Sequence, residues 1–153
     1  MAVTWMWARD FFEPDGSLLD LYAFHASPRA WDALVQHLCN NDAVDFEVDG
    51  KRAPLPAQVE LLFQEGVDRA ARLLRVHRTA DEVADVNVHF FGDDEIAMDL
   101  DPRSVTDQSS LDRFIAFMAG VAAALAMSVV LTPENTPQRP ILTVDPNGSV
   151  RLG

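Results

Sequence analysis

A chain of 153 residues has the length of one domain and can bury roughly two-thirds of the surface that its unfolded form exposes. Its apolar fraction of 48%, with nine Phe and three Trp, is ample for a packed interior and argues against intrinsic disorder. Twelve basic against 24 acidic residues leave a formal charge of −12, which repels nucleic-acid backbones and anionic membrane surfaces and leaves a basic protein as the partner the sign favours.

Residues 3 to 12 alternate, with Val3, Trp5 and Trp7 on one side; Pro14-Asp15-Gly16 supplies a turn and Leu18 to Phe24 a second extended run, which together predict a β-hairpin. Ser27-Pro28 then reads as an N-cap followed by proline at the first helical position. Trp31, Leu34, Val35 and Leu38 fall at helical spacing, so a helix is expected near 28–39, ended by Asn40-Asn41 through the left-handed conformation that asparagine tolerates. Asp49-Gly50 predicts a second hairpin between Phe46-Val48 and Lys51-Leu55. For Ala57 to Phe63 a short helix is favoured over a strand. Leu73 to His77, Val83 to Phe91 and Glu95 to Asp101 read as strands, the last two joined at Gly92-Asp93.

Ser109, with Asp112 in capping-box position, opens a long helix near 110–127 whose apolar stripe runs through Leu111, Phe114, Met118, Val121 and Leu125. Val129 to Leu131 and Ile141 to Val144 follow as strands around a surface loop from Thr132 to Pro140, and Pro146-Asn147-Gly148 turns into a short last run. The order predicts an α+β fold in a single domain, 1–153, with the two helices packed on a largely antiparallel sheet.

Phe114 to Leu131 holds eighteen residues without a charge, the length of a membrane span. Six of them are Ala and one is Gly, and the stretch turns β-branched at Val129-Val130, so a helix followed by a buried strand is expected and no membrane. Met1 to Trp5 has no basic region leading into an apolar run, so no secretory signal is expected. Cys39 is the one cysteine and has no second thiol to pair with, which points to the cytoplasm and to a buried, inert side chain.

His25, His37, His77 and His89 are scattered, and no phosphate-binding glycine loop, nucleophile elbow or zinc signature is present, so neither a metal nor another cofactor is expected and no catalytic residue is assigned. Trp5, Trp7 and Trp31 are expected to cluster in the core. The line Ala116, Gly120, Ala124 lets another backbone come close, either the chain's own sheet or a second subunit, so a homodimer through the long helix is one reading.

The candidate site is a strand face. Alternation in Glu95-Ile96-Ala97-Met98-Asp99-Leu100-Asp101 buries Ile96, Met98 and Leu100 and aligns Glu95, Asp99 and Asp101 on the other side. Pairing through the Gly92 turn brings Asn87 and His89 onto or near that face, with Asp93 and Asp94 in the turn itself. Such a surface fits docking of a basic protein, with Phe91 or Trp7 as aromatic anchors. It also fits a solvated edge, or an acid/base or cation site using Glu95, Asp99, Asp101 and His89, hence a small-molecule or metal-dependent enzyme if a cavity encloses it.

The segment from Val86-Asn87-Val88-His89-Phe90-Phe91 to Asp101-Pro102, the helix Leu111 to Met127 and Val130-Leu131-Thr132-Pro133-Glu134-Asn135 together resemble immunity-type proteins of bacterial polymorphic toxin systems, over residues 85 to 145. The resemblance implies a small acidic α+β protein that neutralises a toxin domain by binding it, with the acidic strand face and the Asp93-Asp94-Glu95 turn meeting a basic surface.

Overall fold

In the computed structural model, residues 2–63, 70–77 and 86–153 are described. Close to the amino terminus the chain is helical rather than extended. The Thr4 hydroxyl accepts the Trp7 N–H and opens α1 (Trp5–Ala8), which tightens into a 3-10 turn over Arg9–Phe12. The expected first hairpin is therefore absent, and only its second arm forms a strand. Burial explains the outcome: Ala8 and Phe12 lie one helical turn apart and are both buried, and Phe12 meets Phe114 edge-on at 6.1 Å.

The second helix, α2 (Pro28–Asn41), starts as its sequence requires, with Ser27 Oγ accepting the Ala30 N–H at 3.2 Å. Its end differs from expectation. Asn41 stays helical and its side-chain amide donates to the His37 carbonyl at 2.7 Å, while Asp42 leaves in an extended conformation. The long helix α3 (Gln108–Leu125) is capped two residues earlier than the Ser109/Asp112 reading. Asp107 accepts the Ser110 N–H at 2.8 Å and Ser110 Oγ accepts the Asp107 N–H at 3.1 Å, a reciprocal box.

At the other end of α3, Ala126 is left-handed, with φ of 53°, and Met127 N–H bonds back to the Ala122 carbonyl. An L-residue with a Cβ is disfavoured there, so Ala126→Gly is expected to stabilise the fold by about 0.5–1 kcal/mol, read as a higher urea midpoint at unchanged slope.

The strands are β1 (Leu19–Phe24), β2 (Ala43–Val48), β3 (Lys51–Arg52), β4 (Arg72–His77), β5 (Val86–Gly92), β6 (Glu95–Leu100), β7 (Val129–Pro133), β8 (Leu142–Val144) and β9 (Val150–Leu152). They form one antiparallel sheet in the order β3-β2-β4-β5-β6-β1-β7-β8-β9. The β2–β3 hairpin turns at Asp49 and Gly50, both at positive φ, as the Asp-Gly pair predicts. The short helix expected before β4 is a 3-10 helix over Val59–Phe63. Of the strand expected from Val83, residues 83–85 lie outside the described residues. Two placements depart from sequence order: β4 pairs with β2 and leaves β3 at the edge, and β1 is inserted between β6 and β7.

Register makes the two sheet faces distinct. Leu74, Val88, Met98, Leu21, Leu131 and Leu142 follow one another across six strands, and none is more than 1% exposed. This row belongs to the same core cluster as Leu34 and Leu38 of α2 and Leu111, Phe114 and Met118 of α3, so both helices cover this face. Each such leucine removed from water stabilises the fold by about 1.5–3 kcal/mol before the ordering cost.

The tryptophans do not cluster together. Trp5 pairs with Phe12 and Trp7 with Phe11, while Trp31 is fully buried beneath α2 against Phe63 and Phe90. At the small-residue line of α3, a Cβ added to Gly120 would lie 3.3 Å from His37 Nε2. The close approach there is filled by α2 of the same chain.

The uncharged stretch Phe114 to Leu131 divides as expected: helix to Leu125, a left-handed residue, then β7 from Val129. Among the described residues no helix is long and apolar enough to cross a membrane. Cys39, in contrast to the expected buried thiol, is exposed on α2.

Candidate functional site

On the face opposite the helices the register sets out a row of polar groups, one per strand: Asp45, Arg75, Asn87, Asp99, Asp20 and Thr132, of which Arg75 is exposed and Asp20 and Thr132 are buried. A second row, offset by two residues, carries Glu47, Leu73, His89, Ala97, Tyr22 and Val130. The acidic strand β6 thus lies in the middle of a polar surface, flanked by β5 on one side and β1 on the other.

Three of the seven candidate residues meet directly. Asp99 Oδ2 sits 2.5 Å from His89 Nε2, and Asp99 Oδ1 accepts from the Asn87 amide at 3.0 Å. A carboxylate can only accept, so it orients the amide and leaves Asn87 Oδ1 buried without a hydrogen bond. His89 in turn stacks on Phe91, with ring centroids 5.0 Å apart and planes 5° from parallel. Phe91 is 79% exposed, so the ring face turned away from His89 is open to solvent.

Glu95 shares this face, half-buried and opposite Phe24 and Gly92 in register. Asp93 and Asp94 are exposed in the turn. The Ala26 N–H donates to the Asp94 carbonyl at 2.7 Å and ties the turn to the end of β1. A Cβ at Gly92 would lie 3.3 Å from Asp94 Oδ1, a close contact that the exposed Asp94 side chain can relieve. Among the described residues none of Asp93, Asp94 and Glu95 forms an ion pair.

Asp101, expected as the third aligned carboxylate, is committed elsewhere. β6 stops at Leu100 because Pro102 has no N–H to offer a ladder, and Asp101 caps the 3-10 turn Pro102–Ser104 instead. Both its oxygens are forked by the Arg103 guanidinium at 2.6 to 3.1 Å, which holds the carboxyl below its ordinary range.

The site also includes residues that the sequence did not single out. Asp20 of β1 stands beside Asp99 in register and is only 8% exposed; its Oδ2 accepts from the Tyr22 hydroxyl at 3.1 Å and from the Asn135 backbone N–H at 2.7 Å. The chain after β7 thus returns over this corner of the face. Burial, then the Asp20 charge and hydrogen bond, then the Glu95 charge push the Tyr22 phenol up to about 12. On the far side of β5, Asp45 lies 2.8 Å from His77 Nε2 and 3.1 Å from the Arg52 guanidinium, while Glu47 pairs with Arg75 at 2.5 Å.

The charge is therefore uneven. Acids toward β2 are neutralised by the chain's own cations, Asp99 and Asp20 are held by His89, Asn87, Tyr22 and Asn135, and the turn at Asp93, Asp94 and Glu95 carries the unneutralised charge. Among the described residues no group of three or more His, Cys, Asp or Glu side chains is arranged to hold a metal ion. Grooves of about 340 to 460 Å³ lie at one end of the molecule, around Pro14 and Pro102, and include neither Glu95, Asp99 nor His89. No family model, curated protein or solved structure matches the chain.

Proposed function

We propose that the chain is a cytoplasmic protein-binding module, an immunity-like inhibitor whose open sheet face docks on a basic surface of a toxin or effector domain. One observation carries the reading. The face opposite the helices ends in a turn with three acids, Asp93, Asp94 and Glu95, that form no ion pair among the described residues, and it carries Phe91, which is 79% exposed. Charge of one sign speeds encounter and selects partners of the other sign, while an exposed aromatic ring supplies the anchoring energy that rim charges lack. The formal charge of −12 extends the same attraction over the whole molecule.

The test is affinity capture from the source cells at low and high salt, comparing the native chain with Asp93→Lys, Asp94→Lys, Glu95→Lys combined. All three positions lie in or beside an exposed turn, so the fold is expected to be retained. A basic protein held by the native chain at low salt, weakened by salt and lost in the triple variant is the expected result. Capture of the same proteins by both forms, or of none at either salt, overturns the reading. For the inhibitor role, the captured protein must be toxic when expressed alone and harmless when co-expressed with this chain.

A further inference from the structure

We infer that His37 and Asn41 form a pH-sensitive latch on the end of α2, and that a proton taken up by His37 opens the last turn of the helix. The hydrogen-bonding chemistry of the two side chains carries the inference. Asn41 Nδ2 lies 2.7 Å from the His37 carbonyl oxygen and 3.3 Å from His37 Nδ1. A carbonyl oxygen can only accept, so the Asn41 amide turns its NH2 group, not its oxygen, toward the helix. An amide nitrogen can only donate, so Nδ1 beside it is the bare, accepting nitrogen of a neutral imidazole. The ring proton therefore sits on Nε2.

The ring is lodged against α3. Its Nε2 and Cε1 face the one glycine of that helix, where a Cβ added to Gly120 would lie 3.3 Å and 3.5 Å from them. From Phe114 to Met127 the chain of α3 and its C-terminal end has no ionisable side chain, so this wall offers an imidazolium no counter-charge. On β2, Asp45 and Glu47 stand in the polar rows on the other face of the sheet. Glu60 is exposed on the 3-10 helix Val59–Phe63, which is tied by the Val59 N–H to Asp32, in the first half of α2. Around His37 itself, the ionisable neighbours on its own element are Cys39, which is exposed, and Asp42, just past the helix.

A proton on Nδ1 turns that nitrogen into a donor facing the donors of Asn41. The amide can then meet it only by turning its oxygen inward, which would set that oxygen against the His37 carbonyl, or it can swing away. In both cases the side-chain bond to the His37 carbonyl is lost. That bond and the Asp42 N–H to the Leu38 carbonyl, at 2.9 Å, close the last turn of α2.

The experiment follows the full chain by NMR from about pH 8 to about pH 5, across the ordinary imidazole range. At the upper end the 15N shifts of His37 are expected to show Nδ1 bare and Nε2 protonated. As His37 titrates, protection of the Asp42 amide against hydrogen exchange, corrected for the intrinsic rate, is expected to fall about two- to tenfold, the size of one hydrogen bond. Asn41→Ala should be poorly protected at every pH and show no step. His37→Phe keeps a ring for the notch but takes up no proton, so its protection should stay level, whereas Asp42→Asn should keep the step. A proton on Nδ1 at the upper end, no step where His37 titrates, or a step that survives in Asn41→Ala or His37→Phe overturns the latch. Loss of the step in Asp42→Asn overturns it too, by assigning the effect to that carboxylate. Should His37→Phe fail to fold, the native tautomer and Asn41→Ala decide.

Discussion

Trp31→Ala is expected to lower the unfolding free energy by about 3–5 kcal/mol, a large share of the 5–15 kcal/mol typical of a domain. Trp31 is wholly buried, stacks on Phe90 at 5.0 Å and meets Phe63 at a tilt at 5.3 Å, so truncation opens a cavity under α2 that these two rings border. Among the described residues the buried indole Nε1 finds no hydrogen-bond partner. A buried donor left unmatched costs about 1–3 kcal/mol, so Trp31→Phe, which removes the donor with part of the volume, is expected to cost far less than Trp31→Ala. Urea unfolding of the two variants checks both statements; because both lack the indole N–H, their difference reports the cavity, and equal losses would show that the lost volume does not set the cost. Phe90 precedes Phe91 on β5, so Trp31→Ala is also expected to loosen the exposed ring.

The second large effect is at Asp20. Asp20→Ala is expected to cost about 1–3 kcal/mol, because the Tyr22 hydroxyl and the Asn135 N–H each lose their acceptor at a site only 8% exposed. Tyr22 is the one tyrosine of the chain, so tyrosinate absorbance follows its titration without interference. In the native chain it should titrate at about 12. In Asp20→Asn it should fall without reaching the ordinary value of 10.0, since burial, the largest cause, remains. The sign for stability follows from linkage. A phenol whose folded value lies above its unfolded one adds stability that is complete below about pH 10 and is lost as the pH rises through about 12. An unchanged titration in Asp20→Asn would mean that Asp20 exerts no field on the ring.

The α+β class, α2, α3 and the alternation of β6 were legible because each rests on a local period or a cap. Ile96, Met98 and Leu100 are buried as the period of two requires, and the Ser27-Pro28 start is a helix signal that no tertiary contact had to supply. The amino terminus misled for the same local reason. Val3, Trp5 and Trp7 alternate, but the spacing of Trp5, Ala8 and Phe12, together with the Thr4 cap, is the helical signal that burial against Phe114 selects. Asp101 was aligned by alternation although Pro102 already marked the strand's end.

In the candidate site, the Gly92 turn was enough to place Asn87 and His89 on or near the Asp99 face but not to give their partners: unbroken pairing from Gly92–Glu95 would set Asn87 opposite Leu100, and the irregularity between His89 and Gly92 sets it opposite Asp99 instead. Asp20 and Tyr22 could not be placed. They reach Asp99 and Glu95 only because β1 is inserted between β6 and β7, a long-range choice made by the core rather than by any neighbouring residue.

The exposure of Cys39 on α2 gives the molecule a single chemical handle on the helical side, away from the open strands. Coupling a dye or a solid support through that sulfur would present the polar rows outward in one orientation on every copy, so binding could be measured without random attachment through lysines. Partial burial raises the thiol above its ordinary range, so a maleimide or disulfide reagent should react faster as the medium is made mildly alkaline.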